Sequence, residues 1–226
     1  MRRHALFLAA LLTLPASGAA AAESPAGVFF DRLAQLCGQR FEGVVTAGNE
    51  TDQAFREARL TMQVGPCAAD EIRIPFHVGE DRSRTWIVTR LGEDRLRLKH
   101  DHRHADGVED ELSRYGGDNL EPGTATRQTF PADAYSIDLF TRTGRAVSNT
   151  NVWALEADED AFVYELARPG RLFRVSFDLN RPISALGEEG VVGDQAAERR
   201  GLQGAGAARA SEVLALSRAP LRADAP

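Results

Sequence analysis

Between residues 40 and 179, apolar residues recur at every second position in segment after segment, and this alternation constrains the fold most. In EIRIPFHV (71–78), Ile72, Ile74, Phe76 and Val78 share one side, and Glu71, Arg73, Pro75 and His77 share the other. A period of two is that of a strand with one buried face. The same reading applies to RFEGVVTA (40–47), ARLTMQV (58–64), RTWIVTR (84–90) and DRLRLKHDHRH (94–104). It applies again to GTATRQTF (123–130), NTNVWALEA (149–157), AFVYELAR (161–168) and RLFRVSFDL (171–179). Pro75 lacks a ladder donor, so its strand is expected to lie at an edge or to carry a bulge. GED at 92–94, YGGDN at 115–119 and RPG at 168–170 read as turns.

Strands spaced roughly ten residues apart predict a mainly β domain, either a single antiparallel barrel of about 8–10 strands or a β-sandwich. The short links between the last three strands favour the up-and-down barrel. Ahead of them, AGVFFDRLAQLCG places Phe29, Phe30, Leu33 and Leu36 at helical spacing, with Gly38 as a C-cap. This short N-terminal helix is expected to plug one barrel end. PADAYSIDLF (131–140) reads as a second helix with Asp133 as its N-cap.

The two ends have a different composition. Residues 1–22 carry Arg2 and Arg3, a short apolar run and then Ala19 to Ala22, the pattern of a secretory signal peptide cut before Glu23. From 187 to 226 the chain turns to Ala, Gly, Arg and Glu, too poor in apolar periodicity to offset its ordering entropy, and is expected to be a disordered tail. The barrel domain is therefore placed at 23–186. The apolar run is too short to span a bilayer, so an integral membrane protein is not expected. Export predicts a periplasmic or secreted bacterial protein, and in that compartment Cys37 and Cys67 read as one disulfide. Loss of Arg2 and Arg3 would take the net charge from −6 to −8, which excludes a nucleic-acid partner.

The plan resembles lipocalin-type barrels in architecture, although Phe41-Glu42-Gly43 stands where their Gly-x-Trp entry would be. IPFHVGEDRSRTW, LRLKHDHRHADG and YGGD together resemble a group of uncharacterised secreted bacterial proteins. That resemblance covers most of the domain and implies no particular activity.

The chemistry concentrates in KHDHRHADG (99–107), which holds three of the five histidines. On a straight strand, His100, His102 and His104 continue the apolar face of Leu96 and Leu98, so their rings would line the barrel interior near one mouth. Same-face neighbours sit about 6.5–7 Å apart, so one adjacent pair can chelate zinc or copper, and imidazole also suits nickel. A third ligand would have to come from His77, Glu109, Asp110 or Asp118. The competing reading makes the histidines interior polar residues, hydrogen-bonded to one another and to acids such as Asp106.

No EF-hand fits, since a loop with Gly107 sixth would begin at His102 and end at Ser113. There is no H-E-x-x-H, G-x-S-x-G, P-loop or G-x-G-x-x-G. Trp86 and Tyr164, with Trp153, Phe162, Phe173 and Phe177, either line a ligand cavity or fill the barrel solidly. The leading expectation is an exported barrel that binds a small, partly apolar ligand through His100, His102, His104, Trp86 and Tyr164. The alternatives are a metal-binding protein or metalloenzyme using His100, His102 and His104, and an envelope protein that acts by contact with other proteins.

Overall fold

The computed structural model describes residues 23–184. The signal peptide expected at 1–22 and the tail expected at 187–226 lie outside these residues. The chain runs α1 (Pro25–Gln35), β1 (Arg40–Ala47), α2 (Gln53–Glu57), β2 (Leu60–Gln63), β3 (Glu71–Val78), β4 (Asp81–Arg90) and β5 (Leu96–His102). It continues with β6 (Tyr115–Asp118), β7 (Arg127–Pro131), α3 (Ala134–Arg142), β8 (Val152–Ala157), β9 (Ala161–Arg168) and β10 (Arg171–Pro182).

All ten strands form one sheet in the order β6-β5-β4-β3-β2-β1-β10-β9-β8-β7, and every pairing is antiparallel. Each strand lies beside its sequence neighbour and β1 beside β10, so the sheet curls into a nearly closed up-and-down barrel. The sandwich alternative is thereby set aside. One continuous sheet wraps a single core that includes Ile72, Ile74, Val88, Leu96, Leu98, Leu155 and Val175, all fully buried.

Pro75 sits in β3, inside the sheet rather than at its edge, and a register irregularity follows between Phe76 and Val78. Arg73 donates its N–H to Pro66 on the β2 side, so Pro75, two residues on, faces that side as well. The β2–β3 ladder reaches only to Met62 opposite Phe76, so the missing donor of Pro75 breaks no bond there.

YGGD is a strand rather than the expected turn, and its glycines explain why. β6 and β7 are the two ends of the sheet, and they meet edge to edge. A Cβ on Gly117 would stand 1.8 Å from the Pro131 carbonyl oxygen. One on Gly116 (φ +148) would stand 1.9 Å from the Leu98 oxygen. Only glycine lets three backbones approach this closely. Side chains complete the seam. Gly116 N–H donates to Ser136 Oγ at 2.8 Å, and Asp133 N–H donates to Gly116 O at 2.9 Å. At the other end, buried Asn119 donates to Gln128 Oε1 at 2.9 Å.

α1 plugs the far end with Phe29, Phe30 and Leu33, all buried. Its N-cap is Ser24, whose hydroxyl accepts the Gly27 N–H. Cys37 just beyond it is bonded to Cys67, with Cα atoms 6.3 Å apart, as the cysteine pair predicts. α3 starts where expected, with Asp133 accepting the Ser136 N–H. No helix among the described residues is long and apolar enough to cross a membrane.

Candidate functional site: the histidine strand and the barrel mouth

β5 carries His100 and His102 on the inner face, opposite Trp86 and Arg84 of β4. His100 is buried at 2% exposure, and His102 is half-buried at the mouth. His104 does not continue that face. The strand ends at His102, and a turn closes with His104 N–H on Val108 O and Gly107 N–H on His104 O, both at 2.9 Å. Asp106-Gly107, with Gly107 at φ +85, supplies the turn geometry. His104 therefore stands outside the barrel, 3.6 Å from Asp110. The D-G pair was the available signal, because it marks a hairpin turn two residues past the segment read as straight strand, 94–104.

The two inner histidines belong to one hydrogen-bonded network. Tyr164 Oη lies 2.9 Å from His100 Nε2. His100 Nδ1 lies 3.2 Å from the Tyr115 carbonyl oxygen. These partners assign the tautomer: Nδ1 carries the proton and Nε2 accepts from Tyr164. Tyr115 Oη lies 2.9 Å from His102 Nε2. Burial holds His100 down to about 3, with the neighbouring His102 and Lys99 adding to the shift. Burial also holds His102 down to about 4, helped by the Arg84 guanidinium. Both rings are neutral at pH 7. Burial pushes the Tyr115 phenol up to about 12 and raises that of Tyr164 well above its ordinary value.

No metal set is assembled among the described residues. Both ring nitrogens of His100 have partners, His102 gives Nε2 to Tyr115, and His104 points elsewhere. The third ligands considered are engaged as well. Glu109 pairs with Arg103 and Arg114, Asp118 with Arg95 and Arg97, and Asp110 accepts the Leu112 N–H. Asp106 accepts the Val108 N–H in its own turn. His77 lies on the outer face opposite Thr61, its ring held below the usual value by burial and by Arg82 and Arg40. Among the described residues no group of three or more His, Cys, Asp or Glu side chains is placed to hold a metal ion. The zinc or copper reading of His100, His102 and His104 is thus not supported, because hydrogen-bonding takes up the inner rings and a turn removes the outer one.

The aromatic residues fill the barrel. Phe76 stacks on Trp86 at 4.7 Å and Trp86 on Tyr164 at 4.4 Å. His100 meets Tyr164 edge-on at 5.7 Å and stacks on Tyr115 at 4.6 Å. Trp86 and Tyr164 are brought together, as expected of a shared site, but each presses on a neighbouring ring. Grooves on the outer surface lie against Arg59, Thr61 and Arg82, and against Asp31 and Arg32 of α1, away from Leu96 and Leu98.

Sequence reasoning missed the segment that covers the mouth. A 3-10 turn (Glu50–Asp52) runs into α2, a single turn of helix with no fully buried residue. Two side chains tie it down. Asp52 binds Arg171 of β10 with both oxygens, at 2.5 Å each, and the side chains are 4% and 10% exposed. Phe55 packs against Phe76 at 6.4 Å, nearly parallel, and against Phe173 at 5.1 Å. The Arg84 guanidinium lies 5.7 Å from its ring centre. Asn49, whose side chain and backbone close a capping box with Asp52, was the local signal.

Neither a protein-family model nor a curated protein sequence matches this chain. Among solved structures it is similar to a redesigned beta barrel, mFAP1, bound to DFHBI. The identity is 10%, the match covers 65% of this chain and 98% of that one, and the TM-score is 0.31. Similarity at this level carries over neither ligand nor activity, and the barrel assignment rests on the strand topology.

Proposed function

We propose that this protein is an exported binding module, periplasmic or secreted, that takes a small, partly apolar ligand at the barrel mouth rather than in an enclosed interior. The observation that supports this reading is the seat of Phe55. A half-buried ring on a one-turn helix occupies a slot between Phe76 and Phe173, under Arg84. Below it lies the rigid floor of Trp86 and Tyr164, with His102 at the rim. A slot of this kind, apolar walls with a few fixed polar groups, is how small-molecule sites are built. The disulfide agrees with an exported location. The filled interior favours one other reading, in which the outer wall of the barrel acts by contact with envelope proteins.

Native mass spectrometry of the full chain, purified from its own host, tests the proposal. The expected result is a stoichiometric small-molecule adduct, lost in Phe173→Ala, with a change in tryptophan emission on release that is retained in Trp153→Phe. An adduct-free protein whose emission ignores a panel of aromatic probes overturns it and leaves the outer wall as the acting surface.

A further inference from the structure

We propose that the mouth is built for an aromatic carboxylate, and that Asp52 and Phe55 are its resident mimic; this rests on the mouth reading above. One short segment presents a carboxylate and, three residues on, a phenyl ring. The carboxylate makes a two-pronged pair with Arg171, and the ring fills the slot between Phe76 and Phe173. The two receptors adjoin, since the Arg171 guanidinium lies 5.6 Å from the Phe173 ring centre. A molecule carrying an aryl ring and a carboxylate would meet both when α2 swings away.

Charge balance selects the ligand class. Arg84 has its own acid, Asp81, and stays compensated whether α2 is docked or not. Arg171 has Asp52 as its acid among the described residues. When α2 leaves, Arg171 loses its counter-charge, and a molecule that refills the slot covers its guanidinium again. A neutral aromatic molecule that took the slot would leave that charge buried and unpaired, which is strongly unfavourable. A carboxylate restores the planar, two-pronged pair that guanidinium geometry suits. Discrimination then comes from the unpaired group in the site rather than from ring shape.

The test uses two probes on the full chain, 2-naphthoate and the neutral 2-naphthalenemethanol, followed by titration calorimetry and tryptophan emission. Phe55→Ala empties the slot and keeps the Asp52–Arg171 pair. Asp52→Asn weakens the competing acid. Phe55→Ala alone is expected to bind both probes at least tenfold more tightly than wild type, with little preference while Asp52 still holds Arg171. Adding Asp52→Asn should then give 2-naphthoate at least a tenfold preference over the alcohol. Equal affinity for the two probes in the double variant overturns the carboxylate class and leaves the mouth reading standing. Binding of neither probe to wild type or Phe55→Ala overturns both. A cooperative thermal melt checks each variant, and if Asp52→Asn fails to fold, the two probes are compared on Phe55→Ala with Asp52→Ser, where equal affinity again overturns the carboxylate class.

Discussion

Tyr164 Oη stands 2.9 Å from His100 Nε2, on the inner face of the barrel, and joins β9 to β5 across the core. Neither residue is near the other in sequence, and neither strand pairs with the other. Tyr164→Phe removes the donor and leaves a buried imidazole nitrogen unpaired. The expected loss is about 1–3 kcal/mol, read by urea denaturation with an unchanged m-value.

The same two histidines make stability depend on pH. Their folded values are depressed to about 3 and about 4, against 6.5 for an unperturbed histidine. Between those limits the unfolded chain binds more protons than the folded one, so stability rises with pH there and is lost as pH falls from 7. From pH 7 to pH 5 the two rings together should remove about 4 kcal/mol. His100→Gln and His102→Gln should each flatten that slope by about one proton. Asp81 and Asp133, whose carboxyls are also depressed, act in a lower window, as pH falls through and below 3.8. Denaturation midpoints at half-unit pH steps separate the two regimes.

At the seam, Gly117→Ala would drive a methyl group into the Pro131 carbonyl oxygen, with backbone on both sides and no flexible side chain to yield. The closure of β6 against β7 should fail, at a cost of at least about 2 kcal/mol. Ser136→Ala should cost less, about 1–3 kcal/mol, by leaving the Gly116 N–H unpaired. Amide exchange at Gly116 and Asp133 should quicken in both variants, while exchange in β9 and β10 follows global stability.

Asp52→Ala leaves Arg171 buried without its acid. The expected destabilisation is about 3–5 kcal/mol, far more than an exposed pair would give. Arg171→Met with Asp52→Leu should recover much of that loss, because removing both charges removes the desolvation penalty as well. Thermal melts of the two single variants and the double variant check this.

Much of the strand plan was legible because its cause is local. In β3 and β10, alternation at period two records which face is buried, and the boundaries 40–47, 71–78 and 161–168 coincide with the strands observed. The cap at Asp133 and the cysteine pair were legible for the same reason: each depends on residue type and spacing. β6 was hidden because its glycines answer to backbones that are distant in sequence, Leu98 and Pro131, and a glycine pair read locally is a turn.

At the histidines the alternation placed His100 and His102 inward, and it failed at His104 because Asp106-Gly107 turns the chain first. The β5–β6 pairing sets Tyr115 against His100 and His102, and barrel closure sets Tyr164 of β9 against His100. The mouth was likewise beyond local reading. Asp52 and Arg171 are 119 positions apart, and no periodicity couples them. What the sequence alone determined was the sidedness of each strand, through local sterics and burial. What only tertiary structure decided was which polar groups meet, because that depends on how distant strands are brought into register when the sheet curls shut.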